Sequence, residues 1–317
     1  MRLLTYDHRG ERRVGIFVGE KIVDLSRLTH ALGRQELARG SMRELIGDWG
    51  LLGSELYGLQ AEAEKRTNEL LDLLVAPDDV HFLPPIPDPP KNVIGLGLNY
   101  WGHVEEAIRA KAVSQSSAER LDPIFFTKAP STLIGHRAGI PKHGCSKELD
   151  YEAELAVIIG RRGRDIPREE VYDHIFGYCC ANDISARDLQ RRHKQIFKGK
   201  TLDGTCPLGP FIVPKEDYGD PMNVMVQCWV NGELRQRAST SLIIHDIPNM
   251  VAILSEGFTL ETGDIILTGT PPGVGYARKI PTFLQVGDWV EVEVEGLGRL
   301  SNKVIESVHF DLEQPEN

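Results

Sequence analysis

The chain of 317 residues is predicted to be a mixed α+β protein, rich in strands, with a small amino-terminal α+β domain and a larger β-rich domain. Short alternating apolar runs open the chain, and a proline-rich connector follows them. Beyond the connector, apolar runs are separated mainly by Gly, Pro and Asp turns rather than by a regular series of helices. We therefore predict domains at residues 1–85 and 86–317.

The first domain is expected to contain a small antiparallel sheet and a helix. Alternating segments at 2–6 and 14–18, followed by 21–24 after a Gly-Glu turn, predict three strands. Residues 59–74 carry Leu and Ala among charged residues without Gly or Pro, which predicts a helix. The prolines of residues 81–91 exclude a regular helix or a central strand, so this stretch is predicted to be an extended connector.

The second domain is expected to be built from strands that follow one another at turns. Apolar runs predict strands at 93–96, 153–159, 176–181, 224–231, 264–268 and 289–294. The Gly95-Leu96-Gly97 stretch lacks the third glycine of a dinucleotide-binding turn, so a Rossmann site is not expected.

Composition excludes several classes of partner. The 41% hydrophobic and 26% charged content is that of an ordinary globular protein, and no apolar run is long enough to cross a bilayer. The amino terminus lacks the pattern of a secretory signal, so we predict a cytoplasmic protein without a membrane partner. A net charge of −10 argues against nucleic acid. The odd count of five cysteines and the absence of a CxxC pattern argue against disulfides or zinc, so most cysteines are expected in the core.

Two glutamates stand two residues apart at the start of the most apolar strand of the second domain. Side chains alternate across a strand, so Glu152 and Glu154 share one face, and burial of both requires a compensating cation or proton. Asp183, at the end of another apolar run, could complete an all-oxygen site for a hard divalent metal. The alternative is that the two glutamates line a solvated strand face.

Other polar residues are candidates for proton transfer and anion binding. His103 and Glu106 stand three apart, so one helical turn would bring them together as an acid/base pair, although such pairs also decorate ordinary surface helices. Lys200 lies in a glycine-containing loop that could present an ammonium to an anion, or it could simply be solvated. Thr270 and the amides of residues 267–275 could hold a carboxylate, or could form only a turn.

Taken in order, five motifs resemble the fumarylacetoacetate hydrolase superfamily over about residues 92 to 306. They are NYxxHxxE from Asn99, LDYExEL from Leu149, NDxSARDxQ from Asn182, GKxxDxxCPxGP from Gly199 and TGTPxGVG from Thr268, the last with a second proline. The run from Ala186 to Gln195 is similar to bacterial members assigned oxaloacetate decarboxylase activity. Together, five ordered motifs are far more specific than any one of them.

The resemblance implies a β-roll or barrel catalytic domain, a homodimer and a site that binds Mg²⁺ or Mn²⁺. It maps the metal ligands onto Glu152, Glu154 and Asp183, and the acid/base pair, often carried on a mobile lid, onto His103 and Glu106. Lys200 is implied to be catalytic. Contacts to a small 2-oxo or diketo acid map onto Tyr100, Arg187, Gln190 and Thr270. The polar segment from Ala107 to Asp122 is longer than in compact members of the family, which bears on closure of the lid.

The leading hypothesis is a divalent-metal-dependent hydrolase that cleaves a carbon-carbon bond of an acylpyruvate or related β-diketo acid, with an enolate stabilised at the metal. The alternative is an oxaloacetate decarboxylase or a 2-oxo acid isomerase or tautomerase, which would use the same enolate without attacking water. A third hypothesis is a noncatalytic protein of the same fold. The grouping of acids with His103 and Lys200 argues against the third, because a scaffold has no physical need for it.

Overall fold

A computed structural model of the chain describes residues 1–112 and 122–307. Residues 113–121, which make up most of the polar segment from Ala107 to Asp122, and residues 308–317 lie outside the described residues. The helices are α1 Leu25–Ala31, α2 Met42–Gly47, α3 Trp49–Lys65, α4 Trp101–Arg109, α5 Val171–His174, α6 Arg187–His193, α7 Ile196–Lys200, α8 Lys215–Tyr218 and α9 Ile247–Ser255.

Strands dominate the remainder. They are β1 Leu3–His8, β2 Glu11–Val18, β3 Lys21–Asp24, β4 Leu74–Val75, β5 His81–Phe82, β6 Val93–Gly97, β7 Ile124–Lys128, β8 Leu133–Ile134, β9 Ile140–Lys142, β10 Leu149–Asp150, β11 Ala153–Ile159, β12 Ile175–Asn182, β13 Ser185–Ala186, β14 Cys206–Pro214, β15 Met225–Val230, β16 Glu233–Ser239, β17 Ile265–Leu267, β18 Trp289–Val294 and β19 Arg299–Glu306. The prediction of a mixed, strand-rich α+β protein is confirmed.

A long mixed sheet organises the fold, with neighbours in the order β4-β3-β2-β1-β14-β12-β11-β17-β6-β7. A second sheet has the order β16-β15-β18-β19-β9, and β10 pairs with β13. The pairings found within the described residues do not close either sheet into a barrel. Because β1 pairs with β14, the long sheet crosses the predicted boundary at residue 85, and the division into two domains stays a prediction.

The predicted strands match those of the structure within a few residues, but the predicted helix at 59–74 does not. The observed helix α3 spans Trp49–Lys65, and the chain reaches strand β4 at Leu74. Glycines at 50, 53 and 58 weaken the helical pattern in the sequence, yet α3 buries Leu52, Leu56 and Leu59 against the first sheet. Tertiary burial therefore outweighs local propensity here.

Strand β11 is buried along its whole length and separates two apolar cores. Leu155 and Val157 pack into one core, while Ala156 and Ile158 pack into the core shared with the amino-terminal strands and helices. Side chains alternate along a strand, so Glu154 lies on the same face of β11 as Ala156 and Ile158. The carboxylate is therefore followed on this face by packed apolar side chains. No helix in the described parts of the chain has both the length and the apolar character needed to cross a membrane.

Candidate active site

The acidic residues meet where β11 begins and β12 ends. These strands are antiparallel, with Ala153 opposite Asn182, so the residues just outside this pair, Glu152 and Asp183, are also neighbours. The backbone amide of Asp183 donates to the carbonyl of Glu152 at 2.8 Å. The amide of Glu152 in turn donates to the side-chain oxygen of Asn182 at 3.0 Å. Strand pairing thus fixes two carboxylates that are 31 positions apart in the chain.

Glu152, Glu154 and Asp183 each place a carboxylate oxygen within 4.8 Å of the others. All three residues are buried, so the alternative of a solvated strand face is wrong. Carboxylate oxygens are hard ligands of the kind that Mg²⁺ and Mn²⁺ prefer, and charges gathered in a protein interior need a cation nearby. The donor set therefore fits a divalent metal ion.

The charge balance differs between the two glutamates. Burial would raise the pKa of Glu152, but the charges of Lys200 and Arg187 outweigh burial and lower this pKa below its usual range. Burial also raises the pKa of Glu154, and the negative charges of Asp183 and Glu152 raise it further, well above the usual value. Of the two glutamates, Glu154 is therefore the one whose ionisation depends more on a further cation nearby.

Two buried lysines contact the acids. Lys200 lies at the end of α7, and its Nζ is 2.6 Å from Glu152 Oε2 and 2.5 Å from Asp183 Oδ2. Lys128, at the end of β7, places its Nζ 2.9 Å from Asp183 Oδ1 and donates to the carbonyl of Ile184 at 3.0 Å. Lys200 is therefore not a solvated lysine, and Lys128 is a second cation that the sequence analysis missed.

Arg187 links the triad to another buried acid. Its Nη2 donates to Glu152 Oε1 at 2.5 Å and its Nε donates to Asp150 Oδ2 at 2.9 Å. The guanidinium carbon lies 4.5 Å from the centre of the Tyr276 ring. Arg187 is thus held on three sides, which orients Glu152 while one part of the side chain still lines the cavity described below.

The loop after β17 supplies backbone donors to three acids. Gly269 N donates to Glu154 Oε2 at 2.6 Å, and Gly275 N donates to Asp150 Oδ1 at 2.7 Å. Gly273 N contacts both carboxylate oxygens of Glu106, at 3.0 and 2.9 Å. A Cβ on Gly273 would lie 2.0 Å from a backbone oxygen, and its φ of 112° also favours glycine. The sequence predicts that these amides hold a carboxylate, and the carboxylates they hold in the structure belong to the chain itself.

The Thr270 hydroxyl faces the same region but already has two partners. It donates to the carbonyl of Ala153 at 3.0 Å and accepts from Gln236 Nε2 at 2.8 Å. Gln236 also accepts the backbone N–H of Ala153 on its side-chain oxygen, so it ties the loop to the start of β11. The hydroxyl thus helps to fix the loop beside the triad.

Helix α4 carries His103 and Glu106, as the spacing predicts, but the two are not hydrogen-bonded. His103 Nδ1 is 3.9 Å from Glu106 Oε2 and is buried without a hydrogen-bond partner in the described structure. Glu106 instead accepts from Gly273, as above. Gly102 lets the helix approach this loop, since a Cβ there would lie 2.9 Å from Pro272 Cγ. The predicted pair is therefore present on one face of α4, with its carboxylate engaged by the loop.

One cavity of about 520 Å³ connects these groups. Among the predicted site residues, the cavity is lined by His103, Glu152, Glu154, Arg187, Gln190, Lys200 and Thr270. Asp183, which contacts Lys200, and Glu106 are not among the lining residues of the described structure. Tyr100 is also not among them; its side chain is buried and burial raises the pKa of its hydroxyl. The Tyr100 hydroxyl has no hydrogen-bond partner among the described residues, and a substrate contact for Tyr100 stays a prediction.

Several functional groups escaped the sequence analysis. Asp150 stands in the quoted LDYExEL motif, but nothing in the pattern shows that its carboxylate reaches Arg187. Lys128 ends an apolar strand, and a lysine whose ammonium group cannot reach solvent needs a buried anion as partner. A lysine at the end of an apolar strand is thus the sequence signal that could have identified this residue. All five cysteines are free and four are buried, as expected.

With the fold and the site described, the sequence can be placed among known proteins. Residues 92–305 match the family described as Fumarylacetoacetate (FAA) hydrolase C-terminal, and the chain belongs to this family. It is 41% identical over 306 residues to the oxaloacetate tautomerase YisK of Bacillus subtilis, with 96% of this chain and 100% of the relative covered. The family resemblance predicted from the motifs is confirmed.

Two solved structures share the whole architecture. The fumarylacetoacetate hydrolase from psychrophilic Exiguobacterium antarcticum is 38% identical with a TM-score of 0.77, covering 97% of this chain and 100% of that one. The maleylpyruvate hydrolase from Sphingobium sp. SYK-6, in complex with manganese(II) ion and pyruvate, is 29% identical with a TM-score of 0.72 and the same coverage. The acidic triad of the present chain is a donor set that fits a divalent metal ion.

Proposed function

We propose that this protein is a divalent-metal-dependent tautomerase that interconverts the keto and enol forms of oxaloacetate. The observation that carries the proposal is the identity of 41% with an oxaloacetate tautomerase over 96% of this chain and the full length of that relative. Among the reactions left open by the sequence, this likeness supports the tautomerase over the acylpyruvate hydrolase.

The geometry of α4 also supports a reaction that moves only a proton. Tautomerisation takes a proton from C3 of the substrate and places one on the 2-oxo oxygen, so no water attacks and no carbon-carbon bond breaks. His103 lines the cavity with an imidazole that can accept and return a proton. Hydrolysis would require His103 to position and activate a water molecule as well. In this structure Glu106 does not form a hydrogen bond that would orient the imidazole for that task.

The cavity also supplies the charges that an enolate needs. A divalent ion, Mg²⁺ or Mn²⁺, held by Glu152, Glu154 and Asp183 would act as a Lewis acid toward the 2-oxo acid. Lys200 and Arg187 add fixed positive charge at the same end of the cavity, where a well-aimed donor contributes about 3 kcal/mol to stabilisation of a developing oxyanion. Burial of these groups means that little reorganisation is needed when charge develops.

The test follows conversion of enol-oxaloacetate by its ultraviolet absorbance, coupled to a malate dehydrogenase that consumes the keto form. With Mg²⁺ or Mn²⁺ present we expect rapid conversion, which chelator or Glu152→Gln abolishes. His103→Asn should lower kcat by about 10²- to 10⁴-fold, the usual contribution of a positioned acid/base group. His30→Asn, which alters an exposed histidine on α1, serves as the control and should have no effect.

A second candidate is the acylpyruvate hydrolase, which the likeness to the manganese- and pyruvate-bound maleylpyruvate hydrolase favours. The same preparations are therefore assayed for pyruvate release from acetylpyruvate and from oxaloacetate. If kcat/KM for acetylpyruvate exceeds that for tautomerisation, the hydrolase replaces the proposal. If oxaloacetate releases pyruvate as fast as its enol converts, the decarboxylase does.

A further inference from the structure

One face of α6 runs along the cavity from its interior to solvent. Arg187, Gln190 and Arg191 are spaced i, i+3 and i+4 on this helix, Lys194 directly follows its last residue with a φ of 58°, and all four residues line the cavity. Arg187 is buried beside Glu152, whereas Arg191 and Lys194 are exposed. Helix α6 and the residue that ends it thus carry positive charge from the acidic triad to the solvent side.

The buried end of the cavity is close to balanced in charge. Within the described residues, four buried carboxylates lie close together there, those of Asp150, Glu152, Glu154 and Asp183. Three buried cations contact these acids, namely Lys128, Arg187 and Lys200. A divalent ion bound to the triad would leave one net positive charge. That charge matches a single carboxylate, the one next to the 2-oxo group of a substrate.

The exposed end has an excess of positive charge. Lys111, Arg191 and Lys194 line it, and we call these three residues the mouth of the cavity. The acidic residues that line the cavity in the described structure, Glu152 and Glu154, both belong to the buried end. Apolar side chains of Leu98, Ile124 and Ile196 line the space as well, and they suit the carbon chain of a substrate.

We propose that Lys194, with Arg191 beside it, binds the second carboxylate of the substrate and so makes the enzyme selective for 2-oxo dicarboxylates. The inference rests on the proposed function for the choice of oxaloacetate as substrate, and it adds the residues that recognise the distal carboxylate. Arg191 Nη2 is 2.6 Å from Glu148 Oε2, which holds that guanidinium in place and offsets its charge. Lys194 is therefore the principal cation for the ligand.

Binding of two matched ligands tests this selectivity without turnover. Oxamate and N-oxalylglycine share the same chelating end, and only N-oxalylglycine carries a second carboxylate. Isothermal titration of the Mn²⁺-loaded full chain should show tighter binding of N-oxalylglycine. In Lys194→Gln the affinity for N-oxalylglycine should fall about two- to fivefold, as expected for one exposed ion pair, while the affinity for oxamate stays unchanged.

Lys198→Gln is the matched control, because Lys198 is also exposed and follows Lys194 by four residues but does not line the cavity. It removes the same charge from the surface, so a general loss of electrostatic attraction would affect both variants alike. The difference between the variants should shrink at high salt, since exposed charges are screened. Residue 194 has a φ of 58°, a conformation that glycine adopts more readily than other residues. A Gly substitution would therefore alter the backbone energetics as well as the charge, and Gln is used instead.

Equal losses in the Lys194 and Lys198 variants, or equal losses for oxamate and N-oxalylglycine, would overturn the inference. Enol-oxaloacetate turnover is measured on the same samples. If wild-type protein lacks turnover but Lys194→Gln selectively loses N-oxalylglycine, the proposed function fails and the role of Lys194 stands. If wild-type turnover is present and Lys194→Gln binds both ligands as the control does, the role of Lys194 fails alone.

Discussion

Replacing Lys200 with Met tests whether the buried lysine stabilises the acidic triad. Its Nζ contacts Glu152 Oε2 at 2.6 Å and Asp183 Oδ2 at 2.5 Å, and the lysine side chain is only 4% exposed. Met has a similar length and no charge, so the substitution removes the cation with little change in packing volume. Both carboxylates would then remain in the interior with one cation fewer.

The magnitude follows from what each acid retains. Removing one partner of a buried ion pair costs about 3–5 kcal/mol when the other charge is left unpaired. Here Glu152 keeps Arg187 and Asp183 keeps Lys128, so we expect the lower end, about 3 kcal/mol. For a cooperative chain of 317 residues this lowers the melting temperature by about 5 °C.

The assay is thermal and urea unfolding of metal-free protein at neutral pH, with Lys198→Met as the control. The control alters an exposed lysine in the same helix and should stay within about 0.5 kcal/mol of wild type. Added Mn²⁺ should raise the melting temperature of Lys200→Met more than that of wild type, because the ion supplies the missing charge and binds only the folded state. A variant as stable as the control, or an equal response to Mn²⁺, would contradict the reasoning.

Three further predictions concern individual contacts. Glu154→Gln should stabilise the metal-free protein increasingly as pH rises above 4.5. Because the pKa of Glu154 is raised in the folded state, the stabilising contribution of this residue is complete below its ordinary pKa and is lost as pH rises through the folded-state pKa. Urea unfolding of the variant and wild type between about pH 5 and 8 measures this, and a variant that gains no stability over wild type would refute it. Asp150→Asn should destabilise the protein by about 3 kcal/mol and lower turnover, because an amide cannot balance Arg187; unfolding and steady-state kinetics measure both effects. Gly102→Ala should lower kcat while changing stability by no more than about 1 kcal/mol, because its Cβ would lie 2.9 Å from Pro272 and push α4 off the loop; an unchanged kcat would show that the close approach is not needed.

The sequence predicts the strands of this fold better than its helices. Strands such as β11 and β18 have apolar periodicity and clear turns at both ends, so their predicted bounds coincide with the observed ones. Helix α3 is set by burial of its leucines on a sheet that the sequence does not display, and its glycines obscure the pattern. The pairing of β1 with β14 joins residues more than 200 positions apart, which local pattern cannot reveal.

The candidate site divides in the same way. Glu152 and Glu154 are predictable because strand parity puts them on one face, and the motif order supplies Asp183. The contacts of Asp150 and Lys128 depend on how loops and strands return to β11, so they emerge only from the three-dimensional arrangement. The separation of His103 from Glu106 is likewise invisible in their spacing, because the competing donor, Gly273, lies 167 positions away.

The cavity combines a buried network of ion pairs with a more variable outer part formed by α4 and the mouth. This combination explains how one family can contain hydrolases and tautomerases. In this chain the acids, Lys200 and Arg187 restrain one another through charge-assisted hydrogen bonds, so the buried end of the cavity, which we propose receives the 2-oxo acid, is rigid. Helix α4 rests on the loop through Glu106, and the mouth consists of exposed side chains. Under the proposed function, the enolate chemistry belongs to the buried end. The position of His103 then decides whether a proton or a water molecule is activated, and the charges at the mouth decide which acid is bound. Changes at α4 should thus alter the reaction, and changes at Lys194 should alter the substrate.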